Sequence, residues 1–127
     1  MAKRRSIDID GFRHSNPIPG ASVVGNLMMS SVIAGRDPSI GKVPASLEDQ
    51  CKFLFQHVKS MVEAAGGSPD DIVKMTFFMK DPSQRSAIND EWVKMFPDEH
   101  SRPARHTQGM TGGGESLISC DFTAVLK

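Results

Sequence analysis

Two apolar runs, Leu27-Met28-Met29 and Phe77-Phe78-Met79, constrain the fold of this chain more than any other feature. Side chains alternate between the two faces of a β-strand, so each run places apolar groups on both faces of a sheet. The rest of the pattern supplies only two helices, which cannot cover both faces of a sheet with this many strands. Another copy of the chain is the simplest cover for the second face, so the pattern predicts a homo-oligomer.

The predicted order of elements is β-β-β-α-β-α-β-β within one domain, residues 1–127. Ser46 caps the clearest helix, with Asp49 three residues on and apolar residues at helical spacing as far as residue 65. Asp81-Pro82 predicts the start of the second helix, which ends at Phe96. The basic residues 1–5 are expected to be frayed. Strands are predicted over residues 6–9, 21–24, 27–34, 72–79, 104–110 and 115–125.

The charge balance limits the partners of this chain. Fifteen Lys and Arg residues offset fifteen Asp and Glu residues, so the formal net charge is zero, whereas nucleic-acid-binding domains usually carry a basic excess. No apolar run approaches the roughly 18 to 20 residues that span a bilayer, so no membrane partner is expected. The basic start is followed by alternating residues rather than an apolar core, which predicts a cytoplasmic protein rather than a secreted one.

The residues that often carry chemistry form no motif. Cys51 and Cys120 are predicted to be buried reduced thiols, and the four histidines include no closely spaced pair, so no metal is expected. The glycine run 112–114 lacks the following Lys-Ser/Thr pair of a phosphate loop, and a flexible hairpin loop is the favoured interpretation.

One charged segment, 102–106, enters a predicted strand. If Arg105 lies within the sheet, its guanidinium needs a partner, because an unpaired buried charge is costly. That partner is either an internal Asp or Glu or the carboxylate of a ligand, which the planar guanidinium can hold with two hydrogen bonds.

Several segments occur in a characteristic combination and order, namely 25–31 (Gly-Asn-Leu-Met-Met-Ser-Ser), 37–44, Gln50, 62–66, 71–74, Asp81, 88–89, Phe96 and 103–105. Through these segments, and over residues 14–127, the sequence resembles the Rid family of reactive intermediate deaminases, also called YjgF-type proteins. The resemblance implies an α+β, chorismate-mutase-like fold, with a mixed sheet that carries two helices on one face. It also implies a homotrimer with a central barrel and ligand sites between subunits. Deaminases of this family hydrolyse enamines and imines to 2-keto acids and ammonia without a cofactor.

Three residues match the family's substrate site. Arg105 matches the arginine that binds the substrate carboxylate, Ser31 matches the serine of the strand motif, and Asn89 matches the asparagine of the second helix.

Elsewhere the family pattern is broken, although Ile18, Thr107 and Ser119 remain candidate substrate contacts. Ile18 stands near the family tyrosine, Val32 replaces a glycine and Thr107 replaces a cysteine. Ser119 stands where the family glutamate positions the attacking water, and a serine cannot act as a carboxylate base. The resemblance therefore predicts weak or absent deamination of imines derived from 2-aminoacrylate.

Two residues are candidates for a replacement acid or base. Asp121 shares a strand face with Ser119 and could act through a bridging water, although a salt bridge to an arginine is the favoured alternative. His14 precedes the segment that replaces the tyrosine motif, and a solvated loop position is its favoured alternative. His106 should point away from Arg105, because side chains alternate along the strand.

Three functions therefore compete. The first is an enamine or imine hydrolase with altered acid and base groups, and the second is a trimer that binds a small carboxylate without chemistry. The third is an RNA-acting protein, which zero net charge and the lack of tyrosine make the least favoured.

Overall fold

A computed structural model describes residues 3–127; Met1 and Ala2, part of the predicted frayed end, lie outside this range. The strands are β1 Arg5–Ile7, β2 Ala21–Val24, β3 Leu27–Ser30, β4 Ile33–Ala34, β5 Ile72–Met79, β6 Ala104–Gly109 and β7 Ile118–Val125. The α-helices are α1 Leu47–Ala64 and α2 Asn89–Met95, and 3₁₀ segments span Pro69–Asp71 and Pro82–Ile88.

The strands form one mixed sheet in the order β1-β2-β3-β7-β5-β6, and β4 also pairs with β7. β5 and β6 are the parallel pair, and the second 3₁₀ segment and α2 connect them. Such a connection is required because parallel neighbours cannot be joined by a tight hairpin. β1 and β6, at the two ends of the strand order, are the edge strands of the sheet.

α1 follows its sequence signals closely. The Ser46 side chain accepts a hydrogen bond from the backbone N–H of Asp49 at 3.1 Å, as the capping prediction requires. The helix ends at Ala64, and Gly66 adopts a φ of 94°, a conformation that favours glycine. The buried face of α1, which includes Leu54, Val58 and Met61, packs on the sheet.

The second predicted helix is only half α-helical. Asp81 caps it as expected, accepting a hydrogen bond from the backbone N–H of Ser83 at 3.1 Å, but the first seven residues form the 3₁₀ segment Pro82–Ile88. Only Asn89–Met95 is α-helix. Ile88, Trp92 and Phe96 are buried, so the predicted apolar stripe is present although the helix type was wrong over its first half.

Three strand predictions also require correction. The predicted strand 27–34 is two strands, β3 and β4, separated by Ser31 and Val32. The first strand begins at Arg5, which pairs with Val23, so Arg5 is not part of a frayed end. The last strand begins at Ile118, later than predicted.

Both helices cover the same face of the sheet. Phe77 on β5 stacks on Phe55 of α1 at 5.8 Å and meets Trp92 of α2 edge-on at 6.3 Å. The other face, called here the open face, exposes Leu27 and Met29, which are 45% and 56% exposed. The predicted α+β sheet with two helices on one face is confirmed, and the open face has no cover within residues 3–127.

Candidate functional site

Arg105 lies on the edge strand β6, with its side chain on the helix-covered face. Its Nη1 donates a hydrogen bond to Asn89 Oδ1 at 2.8 Å, and its Nη2 donates one to the carbonyl oxygen of Arg85 at 3.1 Å. The guanidinium carbon also lies 5.2 Å from the Trp92 ring centre and 5.8 Å from that of Phe77, within cation–π range. Contacts with β5, with α2 and with the 3₁₀ segment Pro82–Ile88 thus hold the Arg105 side chain in place.

No carboxylate within residues 3–127 forms an ion pair with Arg105. Of the two partners that the sequence left open, an internal acid is therefore ruled out for the described part of the chain. A guanidinium has five N–H donors, and two of them are used here, so three remain. Burial lowers the pKa of Arg105 below its ordinary value, and the nearby Arg85 charge lowers it further. Arg105 is thus a half-buried cation with three N–H donors that no other residue of 3–127 engages.

Asn89 and Thr107, two other residues predicted for the site, lie on the same side of the sheet as Arg105. Asn89 is the hydrogen-bond partner just described, so the structure brings Asn89 and Arg105 together. Thr107 is half-buried two residues further along β6 and faces the same side of the sheet as Arg105.

Ser119 lies on the other face of the sheet. It occupies β7, where it pairs with Phe78 of β5 and Ala34 of β4, and it is only 7% exposed. Its hydroxyl donates to the Met110 sulfur at 3.9 Å. The position that holds the family glutamate is thus neutral and partly covered by a methionine.

Asp121 and His106 also lie on the open face. Thr76 of β5 pairs with Asp121 on one side and with His106 on the other, whereas Met75 pairs with Arg105. Within one chain, therefore, Asp121 and His106 point away from Arg105, and for His106 this is the predicted orientation. Partial burial raises the pKa of Asp121 from 3.8, and the Lys74 charge opposes this shift. Residues 3–127 include no arginine paired with Asp121, so the predicted salt bridge to an arginine is absent there.

His14, Ile18 and Ser31 form a second group near β2 and β3. The Ser31 hydroxyl donates to the carbonyl oxygen of Pro19 at 2.8 Å, which ties Ser31 to the loop that carries Ile18. His14 and Ile18 line one surface pocket. The His14 ring meets Phe12 edge-on at 5.2 Å, and its buried Nε2 has no hydrogen-bond partner among residues 3–127.

A single chain does not bring the two groups together. Ser31 follows β3, and β7 and β5 separate β3 from β6 in the sheet. Three strand spacings amount to about 14 Å, which is too far for Ser31 and Arg105 to contact one small ligand.

Sequence reasoning missed three residues around these positions. Arg85 supplies a carbonyl to Arg105, Trp92 lies beside the guanidinium, and Met110 contacts Ser119. Arg85 gave no signal in the sequence, because its contact is made by the backbone carbonyl, which every residue type carries. Met110 gave none, because its contact depends on how the loop after β6 folds back.

The described residues contain no cluster of metal-ligating side chains, and both of their cysteines are buried. Residues 3–127 contain no group of three His, Cys, Asp or Glu side chains that could hold a metal ion. Cys51 and Cys120 are free and buried as predicted, and burial raises the pKa of Cys51 to about 12. In that same range, no helix is both long and apolar enough to cross a membrane.

Comparison with known proteins identifies the family. The family model described as Endoribonuclease L-PSP matches residues 16–112. A RutC family protein of Haemophilus influenzae is 35% identical over 91 residues, covering 70% of each chain. The 2-iminobutanoate/2-iminopropanoate deaminase of Escherichia coli is 35% identical over 83 residues, covering 65% of each chain, which is just under two thirds of that relative. The crystal structure of E. coli TdcF with bound serine superposes with a TM-score of 0.87 at 25% identity, covering 97% of this chain and 99% of that one. The fold, the matched residues and these relatives together show that the chain belongs to the Rid (YjgF) family.

Proposed function

We propose that this Rid-family protein binds a small carboxylate-bearing molecule on Arg105, in a cleft between copies of the chain, and hydrolyses enamines or imines there only slowly. The observation that carries the proposal is the guanidinium of Arg105, which is held in place by Asn89 and Arg85 and has no acidic partner within residues 3–127. The deaminase name of one relative and the serine bound to another support this ligand class, because serine carries a carboxylate.

The division of the site residues supports a cleft between subunits. Arg105 and Thr107 lie on the β6 edge with Asn89 of α2 beside them. Ser31 lies about 14 Å away across the sheet and is bonded to the loop that carries Ile18. A neighbouring copy could supply the second group to the first. The apolar open face would be covered by the same association, and we propose a homotrimer. Light scattering should then report about three times the chain mass of 13.8 kDa, and a monomer at micromolar concentration would contradict the assembly.

The residues present explain why hydrolysis should be slow. Water must add to the imine carbon, and the nitrogen must gain protons before it leaves as ammonia. The Ser119 hydroxyl cannot hold a negative charge near neutral pH, and Met110 occupies the space beside it. Ile18 has no hydroxyl to replace the family tyrosine. General acid and base groups typically contribute roughly 10²- to 10⁴-fold, and we expect a rate deficit of that order against a relative with the glutamate.

His14 and Asp121 remain the proposed sources of any residual proton transfer. A second copy could bring His14 to Arg105, because His14 belongs to the same group as Ile18. Asp121 would act from the open face through water. Full activity in both His14→Ala and Asp121→Asn would exclude both residues.

A non-catalytic carboxylate-binding trimer is the second candidate, favoured by the Met110 side chain over Ser119. An imine-hydrolysis assay distinguishes the two functions, since a non-catalytic protein would not raise the rate of hydrolysis above that of the uncatalysed reaction. Zero net charge continues to argue against an RNA-acting role, despite the ribonuclease description of the family model.

The decisive experiment measures binding of 2-oxobutanoate by calorimetry. Arg105→Lys should lose at least about tenfold in affinity while the oligomer stays intact, because lysine cannot form the bidentate contact. Lys59→Gln, an exposed change on α1, is the matched control and should bind as the wild type does. Equal affinity in Arg105→Lys and the wild type would refute the proposal.

A further inference from the structure

Arg85 places a second positive charge beside the proposed carboxylate site. It lies in the 3₁₀ segment Pro82–Ile88, and its carbonyl oxygen accepts the hydrogen bond from Arg105 Nη2 at 3.1 Å. Its own guanidinium donates from Nη1 to the carbonyl oxygen of Pro82 at 3.2 Å and is otherwise exposed. Asn89, the other hydrogen-bond partner of Arg105, is the first residue of α2, so both residues that hold the Arg105 guanidinium lie where the 3₁₀ segment passes into α2.

No acid within residues 3–127 neutralises this pair of arginines. Asp81 is the acid nearest in sequence to Arg85, and Glu99 is the acid nearest to Arg105. Neither forms an ion pair with these arginines, and neither does Glu91 of α2. Glu91 pairs with Lys94 instead, at 3.4 Å. The Arg85 charge is also among the causes that lower the pKa of Arg105, so the two cations repel each other at this edge of the sheet.

We propose that Arg85 makes this site selective for a dianion, with one carboxylate on Arg105 and a second acidic group, carboxylate or phosphate, on Arg85. The inference rests on the proposed function, because it assumes that Arg105 binds the first carboxylate. A dianion satisfies both guanidinium groups and removes their mutual repulsion, whereas a monocarboxylate leaves Arg85 without a counter-charge. Arg85 thus acts as a specificity-determining residue.

The test compares ligands with and without a second acidic group. Calorimetry on the assembled wild-type protein would use 2-oxopentanoate against 2-oxopentanedioate, two keto acids of equal chain length, and glycerate against 3-phosphoglycerate. We expect the dianion of at least one pair to bind about three- to tenfold more tightly, the range for an exposed ion pair strengthened by charge-assisted hydrogen bonds. A larger ratio in the first pair identifies carboxylate as the second group, and a larger ratio in the second pair identifies phosphate.

Arg85→Gln should bring that ratio close to one, because it removes the charge that would bind the second acidic group and keeps the backbone carbonyl that orients Arg105. Lys59→Gln removes one exposed positive charge elsewhere and should preserve the ratio. Raising the salt from about 0.05 M to about 0.5 M should reduce the ratio in the wild type, because the second charge is exposed.

The outcomes separate this inference from the proposed function. If the wild type binds mono- and dianions equally, or if Arg85→Gln leaves the ratio unchanged, the dianion selectivity is wrong and carboxylate binding on Arg105 stands. If the wild type binds none of the four ligands, or if Arg105→Lys binds them as the wild type does, the proposed function fails and the inference fails with it.

Discussion

Replacing Gln50 by leucine should destabilise the protein by about 2–4 kcal/mol. Gln50 is fully buried on α1, and its side chain joins two loops. Its Nε2 donates to the carbonyl oxygens of Pro44 at 2.8 Å and Glu115 at 3.2 Å, and its Oε1 accepts from the backbone N–H of Leu117 at 2.8 Å. Leucine has a similar volume but leaves these three backbone groups without partners.

The size of this loss of stability depends on how well water can hydrate each of the three backbone groups that lose their hydrogen-bond partner. A buried group left unsatisfied costs about 1–3 kcal/mol, so three groups set an upper limit well above the expected value. Glu115 is exposed and Pro44 is half-buried, so their carbonyls can recover part of this cost by hydration. The Leu117 N–H carries most of the remaining penalty.

Urea unfolding at one fixed protein concentration measures the effect, because any association makes the apparent stability concentration-dependent. Gln56→Leu is the matched control: Gln56 is on the same helix but exposed, and its replacement should change the free energy of unfolding by less than about 0.5 kcal/mol. A loss in Gln50→Leu no larger than that of the control would show that the three hydrogen bonds contribute nothing net.

Three further predictions concern the site and its surroundings. Ser119→Glu combined with Met110→Ala should raise the imine-hydrolysis rate by at least about tenfold over Met110→Ala alone, and no gain would show that the missing glutamate is not what limits the reaction. Trp92→Leu should weaken 2-oxobutanoate binding about three- to tenfold by removing the aromatic face beside Arg105, whereas equal affinity in calorimetry would contradict that role. Burial lowers the pKa of His57 from 6.5, so its contribution to stability is present above that value and is lost as the pH falls through the lower folded-state pKa. Unfolding measured between pH 7 and pH 4 should show this loss in the wild type and less of it in His57→Gln, and parallel curves would refute the assignment.

The sequence by itself determined most of the elements and a sheet face that the two helices leave uncovered. The cap at Ser46, the apolar spacing along α1 and the glycine that ends it are local signals, and local signals act through neighbouring residues whatever the tertiary fold. The alternation of apolar residues in β3 and β5 likewise required an uncovered sheet face, because side-chain alternation is a property of any strand. The sequence did not predict that the second helix begins as a 3₁₀ segment, since Asp81 and Pro82 can start a 3₁₀ segment as readily as an α-helix.

The site was decided by tertiary structure. That Arg105 and Asp121 point to opposite faces depends on the register of β5 with β6 and β7, which pairs residues far apart in sequence. The contact of Met110 with Ser119 and the carbonyl that Arg85 offers to Arg105 arise from chain segments that fold back onto the sheet. Residue types and spacing record which groups are present, but the distances between them are set by packing between distant segments, and chemistry depends on those distances.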